Sequence, residues 1–389
     1  MNGQVGNVQL MQKINRLKVL NYVRRNPGVS RPQIAAETGL SLSSLTNITS
    51  YLLEEGLLAE DGTEQVGRVG RKSTLLRFRA EAYGLICISI NEGNIVLSYT
   101  DLEGKIIANI RLDTQSLAAD RVIVLVREHV RSILCEYGRE NILGISVCVS
   151  GLVLDGSRFI LSASLKWHEL DIKRILEKET NLPVFLENNT LVKAVWYFCC
   201  RERQEAENML FVDLENGIGA MQYYQGAVSR ALLGEVGHTT VEKDGELCFC
   251  GNRGCLEAMC SAERIVRLYE EKSGETGVNL RTVAERCAQA DSAAEEAVIE
   301  CAQYLGIGLA NLVNLLNPSI VVINAGAFSE CRIVLEKAAA EMKRRAYPAL
   351  TKALTIREIA VGENETVCGA ALNLCDRLFD LSFPGNPVQ

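Results

Sequence analysis

The chain is 389 residues long, 48% hydrophobic and 23% charged, enough apolar material for two or three cored domains and a composition that excludes a disordered or low-complexity protein. Its start, M-N-G-Q-V-G-N-V-Q-L, lacks the basic and apolar segments of a signal peptide, and no run of about 20 apolar residues predicts a membrane span, so a cytoplasmic protein is expected. Charge is unevenly shared: residues 1–80 carry 11 Lys and Arg against 6 Asp and Glu (+5), while residues 81–389 carry 30 against 42 (−12), the balance of a nucleic-acid-binding head on a small-molecule-binding body.

Over residues 12–26 the apolar side chains Ile14, Leu17, Leu20 and Val23 recur at three-residue steps with Val19 beside them, predicting an amphipathic helix stopped by Asn26-Pro27-Gly28. Ser30-Arg31-Pro32-Gln33 reads as a capping box with proline in the first turn of a second helix, which Thr38-Gly39 ends. Ser41 caps a third helix whose Leu45, Ile48 and Leu52 share one face, leaving Ser43, Ser44, Thr46 and Asn47 exposed near its start. Helix, glycine-containing turn, helix is the helix-turn-helix arrangement, in which the second of the pair enters the major groove. Segments 57–60 and 73–78 read as a hairpin with Asp61-Gly62 at one bend and G-R-V-G-R-K between them, the outline of a wing. Arg68 and Arg71 on glycine-flanked backbone suit a narrow minor groove in A·T-rich DNA, and Arg24, Arg25, Arg31 and Lys72 suit phosphates. With no Arg or Lys near the start of the third helix, base reading falls to short polar side chains. Specificity per subunit is then modest, and a dimer or dimer of dimers on a palindromic operator is expected.

From residue 82 the pattern changes to apolar, β-branched runs at 85–90, 95–99 and 105–110 around tight turns, followed by a helix over 119–137 and strands over 142–149 and 183–186. His129 reads as a surface histidine of that helix, and His168, beside Trp167, as a candidate ligand contact. The cysteines mostly sit singly in apolar segments, as at Cys87, Cys148 and Cys301, which is the pattern of small buried hydrophobes in a reducing compartment.

The densest chemistry lies between Gly234 and Glu257, G-E-V-G-H-T-T-V-E-K-D-G-E-L-C-F-C-G-N-R-G-C-L-E. His238, Cys248, Cys250 and Cys255 make a complete tetrahedral set for zinc, and a set with no open position is structural rather than catalytic. Gly251 and Gly254 let the loop fold back so that sulfurs on both sides reach one ion. Glu235 and Glu257 bracket the ligands without belonging to them. G-E-V-G-H-T followed by C-x-C-G-N-R-G-C-L-E resembles the signature of the ROK family of repressors and sugar kinases, and within it the repressors of the xylose and N-acetylglucosamine type. The resemblance spans about residues 80–378. It implies an α/β protein in which an N-terminal winged helix-turn-helix (1–80) precedes a two-lobed actin-like sugar-kinase fold, with a first lobe at 81–193 and a second at 194–389 that carries the zinc loop and a last helix, 366–378, crossing back. It also implies that Glu235 and Glu257 hold sugar hydroxyls and that His238 binds zinc through one ring nitrogen and faces the sugar with the other.

Kinases of that family need three phosphate-holding glycine loops and an aspartate base, and this chain departs from each. The first loop reads Ser89-Ile90-Asn91-Glu92-Gly93-Asn94, the second keeps only Gly217-Ile218-Gly219 after Asp213 and Glu215, and the third reads Asn324-Ala325-Gly326. Where the kinases read E-N-D-A-N, the chain has Glu187-Asn188-Asn189-Thr190-Leu191. The Asn189 amide can hydrogen-bond a hydroxyl but not take its proton, and a missing general base costs about 10²–10⁴ in rate. Asn188, Asn189, Glu235, His238 and Glu257 remain a suitable set for a neutral monosaccharide. The expectation is a repressor of carbohydrate-metabolism genes that is not an enzyme, with zinc as cofactor, double-stranded operator DNA and a monosaccharide effector as partners, and no membrane partner. The alternatives are an active ATP-dependent sugar kinase with a DNA-binding head, and a regulator whose body binds a protein partner.

Overall fold

The computed structural model describes residues 2–64, 73–91, 93–114, 118–154, 158–162, 167–168, 171–201, 207–215, 217–228 and 234–383. The chain forms two compact units, one made of Met1–Cys148, Asp171–Leu186 and Ala370–Gln389, the other of Val149–Leu170 and Glu187–Gly369. The N-terminal head lies in the first of these units.

In the first unit, helices α1 (Asn2–Arg25), α2 (Arg31–Thr38) and α3 (Leu42–Glu54) bury Leu17, Val19, Leu20, Val23, Ile34, Leu45 and Leu52, the apolar stripes that their spacing marks out. α1 begins well before the apolar repeat. The capping box forms, with Gln33 Oε1 accepting from the Ser30 N–H and the Ser30 hydroxyl, each at 2.8 Å. Ser41 Oγ accepts the Ser44 N–H at 3.2 Å and so caps α3. The wing differs in one respect. Strand Leu58–Glu64 pairs antiparallel with Ser73–Phe78, and Asp61-Gly62 makes a bulge between the Glu60 and Thr63 pairs instead of the hairpin bend. A short Asp-Gly signal serves a bulge as well as a turn, because both need a residue that tolerates positive φ. Arg68, Arg71 and Lys72 lie outside the described residues.

The body sheet of this unit runs Val184–Asn188, Ile142–Val149, Gly84–Asn91, Asn94–Asp101, Ile106–Asp113 in spatial order. The second unit repeats the plan: Ala227–Val228, Gly219–Tyr224 and Asn208–Asp213 form an antiparallel meander, to which Ile320–Asn324 and Thr355–Ile359 add in parallel. In each sheet the meander comes first along the chain and the last two strands arrive after helices, the connection that parallel strands require. Helix Ser292–Leu316 is long and apolar enough to cross a membrane by length and composition, although Glu295, Glu296 and Glu300 interrupt its apolar run. Its Ala297, Val298, Cys301, Leu305, Leu309 and Val313 are buried in the core of the second unit, so its hydrophobicity is spent on packing.

The last helix, Glu363–Leu378, belongs to the second unit up to Gly369 and to the first from Ala370. Its far end docks on α1. Arg24 pairs with Asp376 and donates to Cys375 Sγ at 3.3 Å, Asn21 Nδ2 donates to the Phe379 carbonyl at 3.1 Å, and the Phe78 and Phe379 rings meet edge to face at 6.3 Å. Arg24, expected on DNA phosphate, is therefore turned inward, with a side chain only 12% exposed.

Candidate functional site

His238 ends a short turn, Val236–His238, and Cys255 stands immediately before helix Leu256–Met259. Between them the chain doubles back: Thr240 bridges to Cys255 and Leu247 to Arg253, and the Cys248 N–H donates to the Asn252 carbonyl at 2.8 Å. A Cβ on Gly254 would lie 1.4 Å from the Glu242 carbonyl oxygen, so the return path requires glycine. As a result His238 Nδ1 lies 3.5 Å from Cys248 Sγ, Cys250 Sγ lies 3.6 Å from Cys255 Sγ, and the four donor atoms fall within 4.8 Å of one another. A tetrahedral ion held at about 2.3 Å by sulfur and about 2.05 Å by nitrogen spaces its ligands about 3.8 Å and about 3.6 Å apart, so the donors fit one ion and leave no position open. The two sulfurs are well beyond disulfide distance. Burial pushes the Cys255 thiol up to about 12 and raises that of Cys248, whereas a backbone hydrogen bond from Asn252 lowers that of Cys250. A bound cation would displace these protons.

Glu257 follows Cys255 by two residues. It is half-buried, its Oε2 accepts the Ile218 N–H at 3.0 Å, and burial pushes its carboxyl above the usual range while that hydrogen bond pulls it back. The Ile218 carbonyl accepts the Gly237 N–H at 2.9 Å, so a single residue ties Glu257 to the turn bearing Glu235 and His238. Gly217, at φ +138°, permits this approach, since a Cβ there would sit 2.6 Å from Glu257 Oε2. Glu235 is exposed, with Oε2 4.0 Å from His238 Nε2. The imidazole thus offers one nitrogen to the cysteines and the other toward Glu235.

Asn189 is buried and donates from Nδ2 to Ser150 Oγ at 3.1 Å. Asn188 caps helix Asn189–Cys200 by accepting the Thr190 N–H at 2.7 Å, and it donates to the Gly151 carbonyl at 2.8 Å. Both ends of the Asn188 amide are therefore engaged within the protein. One helical turn beyond Asn189, buried Lys193 pairs with Asp213 at 2.9 Å and with Glu215. Asp213 also accepts from Thr190 Oγ1 at 3.3 Å and Asn324 Nδ2 at 2.7 Å. The residues aligned with two phosphate loops are thus joined in an internal ion network that sequence reading missed. Arg264 was missed too. Buried on its own helix, Ala262–Ser273, it grips Glu246 at the base of the metal loop (2.6 Å) and Glu300 (2.7 Å), and it holds the Glu246 carboxyl below its ordinary range. Neither residue carries a motif. The available signal was a charged side chain inside an otherwise apolar helix face, as in V-K-A-V-W and R-I-V-R-L.

His129 Nδ1 lies 2.8 Å from the Leu125 carbonyl oxygen within its helix. His168 lies on the strand Trp167–His168, and its side chain is outside the described set. In the head, Ser43, Ser44, Thr46 and Asn47 are all exposed on α3. Arg31 donates to Thr49 Oγ1 at 2.8 Å, which ties α2 to α3.

The profile of the ROK family matches residues 85–376, and one described as winged helix-turn-helix DNA-binding matches residues 12–59. The xylose repressor of Bacillus spizizenii is 26% identical over 379 residues, covering 95% of this chain and 97% of its own. The crystal structure of a ROK family transcriptional regulator, homologous to the Escherichia coli MLC protein, superposes with a TM-score of 0.80 at 22% identity over 93% of this chain and 96% of that one. The ROK hexokinase of Thermus thermophilus superposes at 0.62 with 27% identity, over 74% of this chain and 97% of its own.

Proposed function

This chain belongs to the ROK family, and we propose that it is a transcriptional repressor of carbohydrate-metabolism genes whose winged helix-turn-helix holds operator DNA until a monosaccharide binds the body. The observation that carries this reading is the state of the site. Glu257, Glu235 and His238 are gathered about Ile218 as hydrogen-bonding groups for a neutral polyol, while Asn189 presents an amide where phosphoryl transfer would need a base. Asp213 and Glu215 add negative charge beside the expected phosphate loops, which disfavours a nucleotide. Near full-length likeness to a xylose repressor supports the DNA-binding role and makes a pentose the first effector to test. Zinc at His238, Cys248, Cys250 and Cys255 would supply a structural cross-link and no chemistry. The polar start of α3 supports a dimer on a palindrome, acting in the cytoplasm.

The continuous helix Glu363–Leu378, which starts in the unit with the sugar residues and ends on α1, is the natural route between effector and operator. Shifting operator occupancy from 99:1 to 1:99 takes about 5.5 kcal/mol of differential affinity, within reach of a few hydroxyl hydrogen bonds per subunit of a dimer. The test is calorimetry with D-xylose, N-acetyl-D-glucosamine and a panel of common sugars, a gel shift with operator DNA, and a coupled ATP assay. One sugar should bind and release the operator while turnover stays at background. Robust turnover with any sugar would replace this reading with that of a kinase carrying a DNA-binding head.

A further inference from the structure

Ile218 is the residue on which the site hangs, and the segment that carries it is held from outside. The side chain of Glu215 is 43% exposed, and the contacts described for this loop grip it at its start. On one side, Asn324 donates to Asp213 at 2.7 Å and itself accepts the Val361 N–H at 3.0 Å, while the Leu214 N–H donates to the Asn324 carbonyl at 3.1 Å. Gly326 lies so close that a Cβ on it would be 2.6 Å from Glu215 Cα. On the other side stands Lys193, its side chain 4% exposed, paired with both Asp213 and Glu215. Burial works against its ammonium, but the two carboxylates outweigh that and hold its pKa above the ordinary value. A cation this dry is expensive to keep unless its partners are fixed. Glu215 in turn reaches into the protein only through Lys193 among the contacts described for it.

We infer that Lys193 is a positioning residue of the sugar site: by pairing with Asp213 and Glu215 it locks the loop in the one arrangement where the Ile218 N–H meets Glu257 and the Ile218 carbonyl meets Gly237. Lys193 lies one helical turn from Asn189 on the same helix, and Thr190 of that helix also donates to Asp213, so the helix that carries the amide is joined to the loop that aims the carboxylate. The ligand class is unchanged, a neutral polyol whose hydroxyl donates to Glu257, and the inference rests on the reading of Glu257 as a sugar contact. Lys193 would tune affinity through the orientation of Glu257, leaving operator binding and the metal loop alone.

The experiment is a double-mutant cycle read by calorimetry with D-xylose, with N-acetyl-D-glucosamine run in parallel, alongside operator affinity and metal content for every variant. Lys193→Met should weaken sugar binding about tenfold with operator affinity and metal content unchanged. Glu257→Asp draws the carboxylate back from Ile218, and in that background Lys193→Met should cost less than about twofold, because the contact it aims is already gone. Wild-type sugar affinity in Lys193→Met overturns the inference, and so does an equal loss in both backgrounds, the mark of general destabilisation. If Lys193→Met does not fold, Glu215→Gln, which removes one charge from the half-exposed partner, is read by the same criteria with an expected loss of about threefold. A wild-type chain that binds no sugar while still binding operator strikes at the functional reading itself, an outcome separate from every result above.

Discussion

The loop from His238 to Cys255 and the loop from Asp213 to Ile218 both reach Glu257, the first through the chain, since Cys255 precedes it by two residues, the second through the Ile218 N–H. The first loop brings four candidate metal donors together locally, with glycine returns and short backbone bridges all within one stretch. The other loop is held by a buried ion network whose cation and amide come from a preceding helix and a later strand. A metal cross-link is lost all at once when a ligand is lost, whereas an ion network gives way in steps as single partners are removed. Glu257 is therefore tied from two directions, through the chain to the His238–Cys255 loop and through the Ile218 N–H to the loop held by the ion network.

Breaking the metal side should have the largest effect. Cys250→Ser should reduce bound zinc from about one per chain towards none, lower the melting temperature by many degrees, and with it abolish sugar response, because the segment carrying Glu257 loses its brace. Metal analysis and thermal melts check this, and a serine variant that keeps full metal and response would show that the loop stands without an ion. Glu257→Ala removes the shared target and spares both clamps. Operator affinity should persist while sugar no longer releases the DNA, and a gel-shift titration decides it: release at the wild-type sugar concentration would remove Glu257 from the sugar site. Arg264→Ala loosens the metal loop from behind by freeing Glu246 and Glu300, at a cost of about 1–2 kcal/mol, modest because both carboxylates keep some solvent. Denaturant melts should register that loss with zinc content intact.

Two further variants sharpen the comparison by touching neither loop. Changing Arg68 and Arg71 together to Ala should weaken operator binding and reduce the slope of log affinity against log salt by about two units, with sugar affinity unaltered. Unchanged salt dependence would take the wing off the DNA. Asp376→Ala should have the smallest effect, a few-fold rise in the sugar concentration needed for release with little loss of operator affinity, since it removes one partner of Arg24 where helix Glu363–Leu378 docks on α1 and leaves the Asn21 contact in place. An unchanged release curve would argue that this helix does not carry the signal.

Much of the head and of the metal loop was legible in the amino-acid order because the forces that shape them act over a few residues. Three-residue apolar steps specify α1, a serine and a glutamine three apart cap α2, and one histidine with three cysteines and their glycines define a closed ligand set. Even the substitution that argues against catalysis, Asn189, was a single letter in a recognisable run. The tertiary structure alone decided the rest. Arg24 counted as a phosphate contact in a charge sum, and only the docking of the last helix on α1 turned it inward to Asp376. Asp61-Gly62 reads the same for a turn and a bulge, and the pairing of Leu58–Glu64 with Ser73–Phe78 chose the bulge. Lys193 finds Asp213 and Glu215 across 20 and 22 residues, and Asn324 reaches Asp213 across 111. Contacts at such separations leave no periodicity or spacing in the chain, because the energy of an ion pair depends on where two backbones are carried by the packing of everything between them.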